Sequence, residues 1–173
     1  MGAVTYPNPD VISFLSENFV PMKVNVKEPD DGGRRLLAKY RLLWEPGLLY
    51  LDHRGTEIRR TVGFLPPAEF IAESQIALGK VALLYRRYSE ACEHFRSAVE
   101  SSSSSGVAPE ALYWAGIAAF RRDGNDKNHL KRSWHELKER FPAAHWAAPW
   151  AAKTICSMLG RSRKCELKCD PPL

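Results

Sequence analysis

The spacing of hydrophobic positions changes along the chain and divides it into two parts. Before about residue 66, short apolar runs alternate with turn-forming residues such as Pro, Gly, Asp and Asn. From Pro67 onward, apolar residues recur with the period of an α-helix over most of the remaining length. The pattern predicts a mixed α/β part followed by an all-helical part.

A β-hairpin is predicted at residues 47–62. Gly47–Leu51 is an apolar run of strand length, and Glu57–Val62 has the β-branched content of a second, more exposed strand. The intervening residues 52–55 begin with Asp and end with Gly, as a type I turn prefers. Pro46 comes directly before the first strand. A proline has no backbone N–H to donate to a neighbouring strand, so it is expected at a strand's first position or in a turn.

Three further elements are predicted before the hairpin. Apolar positions at 11, 14 and 15 give one face of a helix, with Asp10 as its N-cap and Asn18 as its last residue. Residues 22–26 alternate apolar and polar side chains, which favours a strand. Residues 34–43 are expected to form a short helix that leads to Trp44.

Five helices are predicted after residue 66, at about 67–85, 91–99, 109–120, 128–141 and 145–159. The serine run at 101–105, followed by Gly106, has the composition of a flexible linker. The helix at 67–85 is expected to end the first part and to begin the second. This sharing predicts a rigid junction between the two parts.

The helical part contains an internal repeat of small and aromatic positions. Each copy begins with a glycine and continues into the next helix: Gly79, Ala91, Phe95 and Ala98 in the first copy, and Gly116, Leu130, Trp134 and Leu137 in the second. The copies are offset by 37 residues, the separation of Gly79 from Gly116. The glycines and alanines are expected where two helices approach closely.

These residues carry two family resemblances. The phrase from Tyr6 to Val24, followed by Pro46, an Asp-x-x-Gly turn and Gly63, resembles a thioredoxin-like domain from the middle of its first helix onward. The internal repeat resembles the tetratricopeptide repeat, whose period is about 34 residues. The resemblances imply an α/β plus all-α protein: an incomplete thioredoxin-like domain at 1–66, a tetratricopeptide-like helical module at 67–160, and a basic, disordered tail at 161–173.

In the thioredoxin-like family, a proline in the cis form lies beside a Cys-x-x-Cys redox pair, and the resemblance assigns Pro46 to that position. This chain has neither the family's first strand nor its Cys-x-x-Cys, and Glu45 stands where the family usually has Thr or Val. Either the recorded start is internal to a longer gene, or the domain has lost its central strand. Such a loss would expose the edges of two strands to pairing with another chain.

Composition and charge limit the classes of partner. The 173 residues are 45% hydrophobic and 26% charged with a net charge of +5, which is ordinary for a soluble globular protein. No apolar run approaches the ~20 residues of a membrane helix and no secretory signal is visible, so we expect a cytoplasmic protein without a membrane partner. The arginine pairs at 59–60, 86–87 and 121–122 are interpreted as solvated, and no nucleic-acid partner is expected.

No motif predicts a catalytic centre, a metal site or a cofactor. The five histidines form no Ser-His-Asp or H-E-x-x-H arrangement, and the glycines form no phosphate-binding loop. Cys92 is expected to be a buried small hydrophobe. Basic neighbours would lower the thiol pKa of Cys165 and Cys169, which with Cys156 offer three soft ligands, but a disordered basic tail is the favoured interpretation.

The loop of Trp44, Glu45 and Pro46 is the best candidate for a functional loop, where Trp44 either contacts a substrate or anchors the loop in the core. The first functional hypothesis is a non-catalytic protein-binding or scaffold module whose helical repeats hold a partner protein or peptide on a concave, partly aromatic surface. The alternative is a fragment of a thiol–disulfide oxidoreductase whose Cys-x-x-Cys lies upstream of Met1.

Overall fold

The computed structural model describes residues 1–42, 44–101 and 106–148. This part of the chain is mostly helical, with one small antiparallel sheet of two strands. The elements in chain order are α1 (Pro9–Asn18), α2 (Asp31–Tyr40), β1 (Gly47–Leu51), β2 (Glu57–Val62), α3 (Pro67–Leu84), α4 (Tyr88–Ser101), α5 (Val107–Arg122), α6 (Lys127–Arg140) and a short 3₁₀ helix (His145–Ala147). The architecture is compatible with an α/β part followed by an all-helical part.

Helix α1 packs against α3, and Val11 of α1 is fully buried. Its N-cap is Asn8 and not the predicted Asp10, because the Asn8 side chain accepts hydrogen bonds from the backbone N–H groups of Asp10 and Val11. The helix ends at Asn18, as predicted.

The strand predicted at residues 22–26 is wrong. These residues form no regular secondary structure, and β1 pairs with β2 alone in the described part of the chain. A strand is held by hydrogen bonds to a neighbouring strand, so alternating side chains are not enough to make one where no neighbour lies alongside.

Other predicted boundaries shift by a few residues. Helix α2 begins at Asp31, with Asp30 as its N-cap, and it ends before Arg41, whose backbone is left-handed. Helix α5 begins at Val107. From residue 145 the described chain has a 3₁₀ helix in place of the predicted α-helix. The rest of that prediction, the linker at 102–105 and the tail at 161–173 lie outside the described residues.

The hairpin is present as predicted. Its turn is closed by a 2.9 Å hydrogen bond from the Gly55 N–H to the Asp52 carbonyl, and the Asp52 carboxylate accepts from the N–H groups of Arg54 and Thr56. Gly55 has a φ of 73°, which glycine adopts without steric cost. The Tyr40 hydroxyl of α2 donates to the Gly55 carbonyl at 2.8 Å, so α2 holds the turn in place.

Two adjacent arginines of β2 point to opposite sides of the sheet, as successive strand residues do. Arg60 pairs with Glu57 at 2.7 Å and donates to backbone carbonyl groups at the end of α2. Arg59 points toward α3 and α5, and its side chain is only 13% exposed. The prediction that this arginine pair is solvated is therefore wrong for Arg59.

Arg59 is the centre of a buried ion-pair network that joins the hairpin to two helices. Its guanidinium donates two hydrogen bonds of 2.9 Å to the Glu110 carboxylate of α5, and its Nε donates to Glu73 of α3. Lys80 of α3 lies 2.7 Å from Glu110. The two carboxylate side chains are 11% and 9% exposed, so each needs a paired cation to offset its desolvation.

Helices α3 to α6 pack in sequence, each against the next. Between α3, α4 and α5 the core consists mainly of small side chains: Ala72, Ile76, Ala82, Ala91, Cys92, Phe95, Ala98, Val107, Ala111, Ala118 and Ala119. Between α5 and α6 it has larger ones: Leu112, Tyr113, Phe120, Leu130 and Leu137. No helix of the described ranges is long and apolar enough to cross a membrane.

Two glycines lie where neighbouring helices cross. A Cβ on Gly79 would lie 2.6 Å from a Phe95 ring carbon of α4, and a Cβ on Gly116 would lie 2.8 Å from the Ser133 Cβ of α6. Real Cβ atoms do not approach other atoms so closely, and glycine therefore permits both contacts. Ala91 and Ala98 of α4 are fully buried in the same core.

We expect Gly79→Ala to destabilise the protein by about 1–2 kcal/mol, because overpacking against Phe95 outweighs the better helix propensity of alanine. Urea unfolding monitored by circular dichroism measures the change. Gly106→Ala is the matched control, since among the described residues no atom beyond its chain neighbours lies within 4 Å of a Cβ placed there. Equal stability of the two variants would contradict the close crossing of α3 and α4.

Arg59→Met is expected to lower the free energy of unfolding by about 3 kcal/mol, because it leaves two buried carboxylates with one cation. Arg140→Met is the control, since Arg140 pairs with Glu136 on an exposed face of α6 and should cost less than about 1 kcal/mol. Denaturant unfolding at neutral pH compares the two. If Arg59→Met lowered the free energy of unfolding no more than the control does, the buried network would stabilise the protein no more than an exposed ion pair.

The network also predicts a dependence on pH. Burial raises the pKa of Glu110, but the hydrogen bonds and charges of Arg59 and Lys80 outweigh burial and bring this pKa below its ordinary value. The carboxylate therefore contributes stability above its unfolded-state pKa of about 4.3, and the contribution is lost as the pH falls through the lower folded-state pKa.

Wild type should consequently be more stable than Glu110→Gln at neutral pH, and the difference should shrink in acid. Unfolding free energies of both proteins, measured from about pH 7 to about pH 3, test this expectation. A difference that stays constant over this range would mean that the charge of Glu110 does not contribute.

Candidate polypeptide-binding edge

Strand β1 has one edge paired with β2 and a second edge that pairs with nothing in residues 1–42, 44–101 and 106–148. The Gly63 N–H donates to the Pro46 carbonyl at 2.8 Å, so these two residues form a hydrogen-bonded pair. Bonded and non-bonded pairs alternate along an antiparallel ladder. The backbone N–H and C=O groups of Gly47 and Leu49 therefore point away from β2, toward the outer edge of β1.

The two edges of the sheet differ in charge. Strand β1 has the sequence Gly-Leu-Leu-Tyr-Leu and carries no charged residue. On β2, Arg60 and Glu57 form an ion pair beside the opposite edge. Charged residues at an edge discourage pairing with another chain, whereas an uncharged edge permits it. The outer edge of β1 is consequently the one suited to accept a strand.

The predicted functional loop lies at the start of this edge. Trp44 is 73% exposed, and Glu45 and Pro46 are exposed beside it. The Glu45–Pro46 peptide bond is cis. Trp44 is therefore accessible from solvent, and the interpretation that it anchors the loop in the core is wrong.

Two further apolar side chains are exposed at the same end of the sheet. Val62, the Cα partner of Gly47, and Phe64 are each more than half exposed. We call Trp44, Val62 and Phe64 the apolar patch. The patch and the outer edge of β1 together form the candidate site.

The segment after α1 adds exposed apolar surface near the sheet. The Phe19 ring lies 5.9 Å from the ring of Tyr50 in β1, which fixes the start of the segment beside the hairpin. Val20 is 98% exposed and Met22 is exposed as well. Tyr50 itself is buried against α3, where its hydroxyl lies 3.0 Å from that of Ser74.

The other predicted site residues belong to helix packing. Ala91, Phe95, Ala98 and Gly116 are buried within the helical part, and Trp134 is partly buried. The Trp134 ring stacks on the ring of Tyr113 with centroids 6.2 Å apart. These residues shape the helical scaffold, and they do not converge with Trp44 and Pro46 on one site.

The described residues offer little thiol or metal chemistry. Cys92 lies in the helical core, and burial raises the pKa of its thiol, so the nucleophilic thiolate is less available. Cys156, Cys165 and Cys169 lie outside the described residues. Within the described ranges, no group of three or more His, Cys, Asp or Glu side chains is placed to hold a metal ion.

Sequence reasoning missed the apolar patch around Trp44. No local pattern distinguishes an exposed Phe64 from a buried one, because its exposure depends on which elements cover that end of the sheet. The sequence does show that β1 has no charged residue, and this was the one local indication of an edge that could accept another strand.

Comparisons with protein-family models, with curated proteins and with solved structures gave no match. The thioredoxin-like and tetratricopeptide-like resemblances therefore rest on the residues of this chain, and its function has to be argued from its own geometry.

Proposed function

We propose that the chain is a non-catalytic protein-binding or scaffold module in which an extended segment of a partner polypeptide adds a strand to β1. The observation that carries the proposal is the unpaired and uncharged outer edge of β1. In this mode of recognition, main-chain hydrogen bonds supply affinity and contacts to alternate side chains supply specificity.

The side chains beside the edge suit an apolar partner strand. Trp44 and Phe64 present large exposed aromatic surface at one end of β1. Aromatic side chains contribute much of the area that is buried on association. A partner strand is therefore expected to carry apolar side chains at alternate positions where it passes the apolar patch.

The edge is held on a rigid support, which favours binding because little conformational freedom is lost on association. The Tyr50 hydroxyl of β1 contacts Ser74 of α3. Arg59 of β2 is held by the carboxylates of Glu73 and Glu110. A partner strand would consequently meet a backbone that is already extended and in place.

Within this proposal, residues 1–66 belong to a thioredoxin-like domain and residues 67–160 to a tetratricopeptide-like module. The hairpin preceded by Pro46 and followed by Gly63 supports the first assignment. The close helix crossings at Gly79 and Gly116 support the second.

A thiol–disulfide oxidoreductase function has less support. The chemistry needs a low-pKa thiolate to attack and a second thiol to resolve the mixed disulfide. The cysteine of the described residues, Cys92, is buried in the helical core with a raised pKa. We therefore favour binding over redox catalysis.

The proposal is tested with peptides selected from a random display library on the immobilised protein. We expect them to contain alternating apolar residues and no proline in the paired stretch, and to slow amide hydrogen exchange at Gly47 and Leu49. Leu49→Pro removes an outward N–H from β1 and should weaken their binding at least tenfold. Arg60→Pro removes an outward N–H from β2 at a residue outside the candidate site, and it should change binding less than threefold.

Two results would contradict strand addition to β1. One is unchanged exchange at Gly47 and Leu49 in the wild-type complex, a measurement that does not depend on how any variant folds. The other is equal weakening by Leu49→Pro and Arg60→Pro when both variants keep the wild-type circular dichroism spectrum, since such a result would place binding elsewhere.

A further inference from the structure

Two arginine pairs that are distant in the sequence meet on one surface of the helical part. Arg86 lies in the turn between α3 and α4, and Arg121 lies in the last turn of α5. Both line a surface depression of about 460 Å³, whose other lining residues are Leu83, Leu84, Tyr88 and Ile117. Their sequence neighbours, Arg87 and Arg122, line an adjoining depression of about 380 Å³.

The four arginines differ in how their charge is balanced. Arg87 lies 2.9 Å from the Glu90 carboxylate, and Arg122 lies 2.8 Å from that of Asp123. Arg86 and Arg121 form no ion pair with any residue in the described part of the chain. The first depression therefore carries two positive charges that an anionic partner can pair.

Asp123 does not neutralise Arg121, because its carboxylate is already paired with Arg122. Its carboxylate accepts two hydrogen bonds of 2.8 Å from Arg122 and lies 2.7 Å from the His129 ring. The hydrogen bonds from Arg122 lower the pKa of Asp123 to about 2. The Arg121 guanidinium lies instead 5.9 Å from the ring centroid of Phe120.

The floor between the two unpaired arginines is apolar. Leu84, at the end of α3, is 60% exposed, and Leu83 and Ile117 are partly buried beside it. Burial of an exposed leucine side chain removes apolar surface from water and therefore stabilises a complex. A ligand with an apolar side chain and carboxylates would both bury Leu84 and pair with the two arginines.

We infer that this depression is a second docking site, separate from β1, and that it binds an acidic peptide segment of a partner protein. Carboxylates of the peptide pair with Arg86 and Arg121, and a bulky apolar side chain between them packs on Leu84 and Ile117. The peptide is thus held between the turn that joins α3 to α4 and the last turn of α5.

Charge complementarity separates this occupant from two others. Residues 149–173 of the chain itself carry five basic and two acidic residues, so like charges oppose their docking beside Arg86 and Arg121. Nucleic acids are bound by many phosphate contacts, whereas two arginines flank an apolar floor here. An acidic peptide with an apolar anchor matches both the charge and the floor.

The test uses a fluorescein-labelled decapeptide of Asp and Glu with one central Phe, titrated with the full chain at low and moderate salt. Arg86→Gln and Arg121→Gln should each raise Kd at least fivefold. Arg34→Gln and Arg140→Gln remove the same charge from exposed, paired arginines that line neither depression, and they should change Kd less than twofold. Replacing the central Phe of the peptide by Ser should also weaken binding at least fivefold.

Each of three results would overturn the inference: no binding at millimolar protein, equal weakening by all four arginine variants, or a single-stranded oligonucleotide that binds more tightly than the peptide and depends on Arg86 and Arg121. The variants change exposed residues, and thermal unfolding checks that they fold. Leu49→Pro should bind the decapeptide like wild type, so failure at β1 is distinguishable from failure at this depression.

Discussion

The ion pairs of Arg59 are the constraint on which the arrangement of the molecule depends. A hairpin of two strands is at best marginally stable alone, and its position has to come from contacts with other elements. The guanidinium fixes β2 against α5 through Glu110 and against α3 through Glu73. Moving the hairpin would leave buried charges unpaired, so the network restricts the sheet to one position more than it adds net stability.

Much of the fold is predictable because it follows from local patterns. The apolar run of β1 and the Asp-x-x-Gly turn lie in neighbouring residues, and the structure contains the hairpin that they predict. The helical period after Pro67 likewise gives α3, whose observed end at Leu84 is one residue from the predicted one. Within the candidate site, the sequence indicated Trp44 and Pro46 but left open whether Trp44 was exposed.

The remaining features depend on contacts between distant residues. Residues 22–26 have the alternation of a strand, but alternation does not supply the neighbour that a strand requires. Arg59 and Arg60 look alike in the sequence, and only the position of α3 and α5 makes one of them buried. Arg86 and Arg121 belong to different helical hairpins, so their common depression is visible only once α3, α4 and α5 are packed.

Helix α3 connects the two proposed docking surfaces, and this determines how they can act together. Ser74, which contacts Tyr50 of β1, and Leu84, which lines the depression, belong to one uninterrupted helix. The helical rise of about 1.5 Å per residue separates them by roughly 15 Å. Two partners bound at these places would be held at a fixed distance, which raises the effective concentration of one for the other. Allosteric coupling would need a second arrangement of α3, whereas holding two partners together needs only the rigid one.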